Sequence, residues 1–132
     1  MSDHVKSLAG HRILVVEDEY LIAMDVKDWL MAAGATVVGP VPSVDQALDL
    51  IANDGLAAAI LDVNLGNGDT VFPLAAELGV LGVPYLFATG DVRLADADAD
   101  GDRDRPRLTK PYLEAELVRA VAELISGSPS EP

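Results

Sequence analysis

Cysteine is absent from the 132-residue chain. That excludes a disulfide framework, a thiolate metal site and a cysteine nucleophile. Basic residues are scarce: nine Lys and Arg stand against 22 Asp and Glu, a formal net charge of −13. A nucleic-acid surface needs clustered Lys or Arg to meet phosphates, so no nucleic-acid partner is expected. Basic or metal-bearing partners fit this charge. Long apolar runs are missing too: nothing approaches the ~20 residues that cross a bilayer. The opening "MSDHVKSLAGHR" lacks the apolar core of a signal peptide. A cytoplasmic protein without membrane attachment is expected, with His4 and His11 solvated.

What is present is enough for a core. Half of the residues are apolar and 23% are charged, a globular composition at a length that suits one domain. Residues 1–10 read as an N-terminal tail, 11–126 as the domain and 127–132 as a C-terminal tail. "RILVV" is a strand, followed by an amphipathic stretch with Ile22, Val26, Trp29, Leu30 and Ala33 on one face and a stop at Gly34. Trp29 is read as core packing. "TVVG" is a second strand. Ser43 and Gln46 then form a capping-box pattern for a helix whose inward face holds Leu48 and Ile51. "AAAIL" is the third strand. "TVFPLAAEL" is a helix that tolerates Pro73 in its first turn and closes at Gly79. "PYLFA" and "PRLT" are the last two strands, and Leu113, Leu117, Val121 and Leu124 align on a final helix.

Five strands alternating with helices predict an α/β fold, a doubly wound parallel sheet covered on both faces. "DVRLADADADGDRDRP" stands where a helix should separate the last two strands. Its Asp and Gly content disfavours a helix interior, so this fourth helix is expected to be short or irregular.

Acids close the strands. The first ends in Glu17 and Asp18, the third in Asp62, while the fourth ends in Thr89 and the fifth in Lys110. In an open parallel sheet the carboxyl ends of the strands form one rim, where ligands gather. Two carboxylates 4 Å apart repel by about 4 kcal/mol at an effective dielectric of about 20. Three together call for a cation, and oxygen ligands favour Mg2+ or Mn2+. A phosphoryl site follows: Asp62 as carboxylate nucleophile, Asp18 and Asp62 on the metal, Glu17 through water, and the Asn64 backbone carbonyl as a further ligand. Lys110 and the Thr89 hydroxyl would bind the phosphoryl oxygens.

"VVEDE", "ILDVNLGNGD", "FATG" and "TKP", in this order and spacing, resemble the receiver domain of two-component response regulators over nearly the whole chain. The resemblance implies a flavodoxin-like sheet of order 2-1-3-4-5. It implies transfer of a phosphoryl group to Asp62 from a sensor histidine kinase or a histidine phosphotransfer protein. It also implies a cis bond between Lys110 and Pro111, and signalling by a monomer or phosphorylation-dependent dimer to a downstream protein partner. "PYLFATGD" further resembles the FAT GUY subgroup of single-domain receivers, associated with general stress signalling. Asp91 departs from that signature. Receivers commonly carry Tyr or Phe where this chain has Arg107, so the switch is expected in Phe87, Gly90 and Asp91, with Arg107 rearranging its acidic partners.

Three other readings stay open. The acids are also compatible with helix capping in an unrelated doubly wound protein. A receiver that binds partners without phosphorylation, or one that serves as a phosphate sink for a phosphorelay, keeps the same fold. An aspartyl-phosphate hydrolase usually needs a second acid two residues after the nucleophile, and Asn64 occupies that place. Within residues 96–104, Asp96, Asp98, Asp100 and Gly101 begin like a calcium loop. Arg103 and Arg107 break that pattern, which leaves a solvated acidic loop as the expectation.

Overall fold

The computed structural model describes residues 7–51, 55–62, 71–89, 107–109 and 112–126, with Thr89, Arg107 and Thr109 by backbone alone. In chain order these are β1 (Arg12–Val16), α1 (Tyr20–Ala32), β2 (Thr36–Val41), α2 (Val44–Ile51), β3 (Ala58–Asp62), α3 (Phe72–Leu81), β4 (Tyr85–Thr89), β5 (Arg107–Thr109) and α4 (Glu114–Ser126). The strands make one five-stranded sheet of order β2-β1-β3-β4-β5. Every pairing is parallel. The α/β fold expected from the sequence is present. The segment between β4 and β5, where a short or irregular helix is expected, lies outside the described residues.

Side chains alternate across the sheet, so each strand serves two cores. Leu14, Val16, Ala59, Leu61, Tyr85 and Phe87 face α2 and α3, where Ala47, Ile51, Leu74 and Leu78 meet them. Ile13, Val15, Ala58, Ile60, Leu86 and Ala88 face α1 and α4, against Val26, Leu30, Leu117 and Val121. β3 is buried along its whole length. This explains its unbroken apolar text: a central parallel strand has no solvated face.

Several boundaries differ from the sequence reading. Residues 7–10 read as tail, yet Leu8 is fully buried and its N–H donates to the Ala33 carbonyl at 2.9 Å. The domain therefore begins before residue 11. β2 passes its expected stop at Gly39 and continues to Val41. α3 runs through Gly79 and ends at Gly82, whose φ is 76°. There the Gly82 N–H donates to the Gly79 carbonyl and the Val83 N–H to the Leu78 carbonyl, a Schellman arrangement that satisfies the helix's last carbonyls. Gly34 does close α1, as read. Its N–H donates to the Met31 carbonyl and that of Ala35 to the Leu30 carbonyl.

At the start of α4, Leu113 is 70% exposed, contrary to its assignment to the inward face; Tyr112 is buried in its place. Leu113 instead precedes the helix, where its N–H donates to the Glu116 carboxylate at 2.8 Å. The Ser43 cap of α2 is present, with its hydroxyl accepting the Gln46 N–H at 3.2 Å. Among the described residues the cis peptide is Gly39–Pro40. The expected Lys110–Pro111 bond lies outside them.

Candidate metal and phosphoacceptor site

β1 and β3 lie side by side with Val16 opposite Leu61. The residues that follow, Glu17 and Asp62, therefore leave the sheet on one rim. Asp18 extends the turn towards α1. Carboxylate oxygens of Glu17, Asp18 and Asp62 all lie within 4.8 Å of one another. Glu17 is 5% exposed and Asp62 4%, while Asp18 is half-buried.

Glu17 bonds to two backbone groups. Its N–H donates to the Val41 carbonyl at 3.0 Å. One carboxylate oxygen accepts the Glu19 N–H at 3.1 Å. Neither Val41 nor Glu19 was singled out from the sequence. The available signal was the Gly-Pro-Val run after "TVV", which reads as a stop and instead bulges the strand.

Buried carboxylates this close are mutually destabilising unless a cation joins them. The donor set is all oxygen and carries three formal negative charges, which fits a hard divalent ion such as Mg2+ or Mn2+.

The other predicted residues are placed in part. β3 pairs with β4 through Asp62 and Ala88, so Thr89, one residue further, ends its strand at the acidic rim. Thr89 pairs in turn with Thr109 of β5, and Lys110 is next in the sequence. Arg107 pairs with Phe87 by backbone. Phe87 itself is 2% exposed, between Phe72 at 5.7 Å and Tyr85 at 5.5 Å centroid distance. It is a core residue on the α2–α3 side. Asn64, Gly90, Asp91, Lys110 and the 96–104 loop lie outside the described residues.

No family model matches the chain, and no curated protein does. Solved structures do. SdrG from Sphingomonas melonis Fr1 is 42% identical, with a TM-score of 0.75 over 90% of this chain and 98% of that one. The chain belongs to the response regulator receiver domains. The BeF3-activated conformation of SdrG from Pseudomonas melonis Fr1 is 40% identical to this receiver, with a TM-score of 0.71 over 95% of this chain and 99% of that one. The response regulator PhyR from Brucella abortus is 25% identical with a TM-score of 0.77. The receiver covers 51% of the PhyR chain, using 92% of its own residues. The resemblance read from the four motifs thus identified the family and its flavodoxin-like fold. Among the described residues, no helix of this receiver is long and apolar enough to cross a membrane.

Proposed function

We propose that this receiver accepts one phosphoryl group on Asp62 from the phosphohistidine of a sensor kinase or a histidine phosphotransfer protein. An Asp62 oxygen attacks phosphorus, the P–N bond breaks with its electron pair returning to nitrogen, and the ring, protonated on its other nitrogen, leaves as neutral imidazole. The observation that carries this reading is the meeting of Glu17, Asp18 and Asp62 within 4.8 Å at the ends of two adjacent strands. Asp18 and Asp62 would hold Mg2+ or Mn2+, with Glu17 through water and the Asn64 carbonyl as a further ligand. When bound, such an ion would neutralise charge on the transferring group. Thr89, which ends β4, and Lys110, next in sequence after β5, would bind the phosphoryl oxygens.

The product is an acyl phosphate that hydrolyses slowly, so the domain is a phosphoacceptor in signalling and not an enzyme turning over a separate substrate. Output passes to a downstream protein in the cytoplasm, through Gly90, Asp91 and Arg107. Likeness to SdrG and to PhyR, a stress response regulator, supports a role in stress signalling.

Incubation with Mg2+ and acetyl phosphate, read by intact mass, tests the chemistry. One added phosphoryl group is expected on the parent and none on Asp62→Asn. No label from either acetyl phosphate or a cognate kinase overturns the phosphoacceptor role. Partner binding without label would identify a phosphorylation-independent interaction module.

A further inference from the structure

We infer that Gly39 is a positioning residue for Glu17, acting through the carbonyl of Val41. Its consequence for metal affinity rests on the function proposed above. β1 and β2 pair Leu14 with Val38 and Val16 with Val41. Two steps along β1 therefore match three along β2, and the additional residue falls in the Gly39–Pro40 stretch. Such a bulge re-aims the groups that follow it. Here it brings Val41 opposite Val16, and the Val41 carbonyl accepts the Glu17 N–H at 3.0 Å. The Glu19 N–H holds the same residue by its carboxylate, at 3.1 Å. An acid that is 5% exposed is thus fixed from two sides, within 4.8 Å of its two acidic neighbours.

Only glycine suits this bulge. Gly39 has a φ of +94°, and a Cβ there would lie 2.9 Å from the Val41 nitrogen and 3.0 Å from the Val15 carbonyl oxygen. Both are backbone atoms, one in each strand, immediately ahead of the Glu17 bond. A side chain has no flexible neighbour to displace, so β2 must part from β1 at Val41, and the Val41 carbonyl moves with it. Gly82 supplies the contrast: its φ is +76°, yet nothing lies within 4 Å of its would-be Cβ. Replacing Gly82 imposes comparable backbone strain without touching Glu17.

Calorimetric titration with Mg2+ or Mn2+ of the parent, Gly39→Ala, Gly82→Ala, Glu17→Gln and the Gly39→Ala/Glu17→Gln double variant tests the inference. Partners that orient a metal ligand matter at least about tenfold in affinity. Gly39→Ala is expected to bind about tenfold more weakly than the parent, a loss of the size typical for such partners. Gly82→Ala should bind as the parent does. The double variant should bind no more weakly than Glu17→Gln, because Gly39 acts through that side chain. Parent-like affinity in Gly39→Ala, or losses that multiply in the double variant, overturns the inference.

Amide exchange on metal-free protein is the second measurement. The Glu17 N–H should be protected in the parent; unprotected exchange overturns the inference even if Gly39→Ala does not fold. A parent that binds no metal would defeat the proposed function separately. Gly39 is then judged by exchange alone: faster Glu17 exchange in Gly39→Ala supports the inference, and unchanged exchange overturns it.

Discussion

Trp29 on α1 and Tyr112 ahead of α4 meet edge to face, with ring centroids 6.4 Å apart and planes at 68°. The contact closes the seam between the first and last helices of the sheet's second face. It also ties α1 to the residue that follows Lys110 and Pro111 in the chain. Aromatic pairs in this geometry contribute about 0.5–1.5 kcal/mol beyond the area they bury. A double-mutant cycle with Trp29→Leu and Tyr112→Leu, measured by urea unfolding, should return a coupling of about that size. Additive losses would show that the rings share a space without interacting.

The acid cluster predicts a stability that depends on divalent ions. Asp18 is the least buried of the three. Asp18→Asn removes one charge from the vicinity of Glu17 and Asp62. In metal-free buffer it should stabilise the domain by about 1–4 kcal/mol, the range for charges 4 Å apart between bulk water and an effective dielectric of about 20. Added salt should narrow the difference by screening. Mg2+ at 100 times its Kd should stabilise the parent by about 2.7 kcal/mol, and Asp18→Asn by less at the same concentration. Thermal melts with and without Mg2+ read both effects.

Residues 7–10 belong to the folded domain. Leu8 is fully buried in the core that contains Leu30 and Ala33. Leu8→Ala should lose about 2–5 kcal/mol, the usual range for a buried leucine. Removal of residues 1–10 should lose at least as much, by chemical denaturation. A truncated chain as stable as the parent would contradict the burial.

Two glycines at the end of α3 should respond to alanine in opposite directions. Gly79 lies inside the helix with nothing within 4 Å of its would-be Cβ, so Gly79→Ala should stabilise by about 0.5–1 kcal/mol. Gly82 has a φ of +76°, which disfavours a side chain, and Gly82→Ala should destabilise by about 1 kcal/mol or more. Urea midpoints distinguish the two.

The sheet and its acidic rim were legible because parallel strands buried on both faces carry unbroken apolar text. The apolar–polar alternation of a half-solvated strand is absent from "AAAILD", and the first acid after such a run falls at the strand's end. Glu17, Asp18 and Asp62 could be placed together from that rule alone. Element ends were less legible, for local reasons. A glycine inside a helix costs little enough that Gly79 does not stop α3, so the first glycine reads as the cap that the second provides. Leu113 fits the helical period of α4 but precedes its first turn, where the period does not apply. Gly39 and Pro40 read as punctuation, although β2 absorbs them in a bulge. Leu8 sits among polar and small residues, and nothing in that stretch signals burial; only its bond to the end of α1 does.

The alternation of side chains along β1 and β3 makes the sheet a partition between two compartments. Leu14 and Val16 belong to one, Ile13 and Val15 to the other. Changes that reshape the helices on one side need no compensating change on the opposite side. The strand ends, shared by both compartments, keep their positions. Helix surfaces are thereby free to diverge while the acidic rim stays fixed.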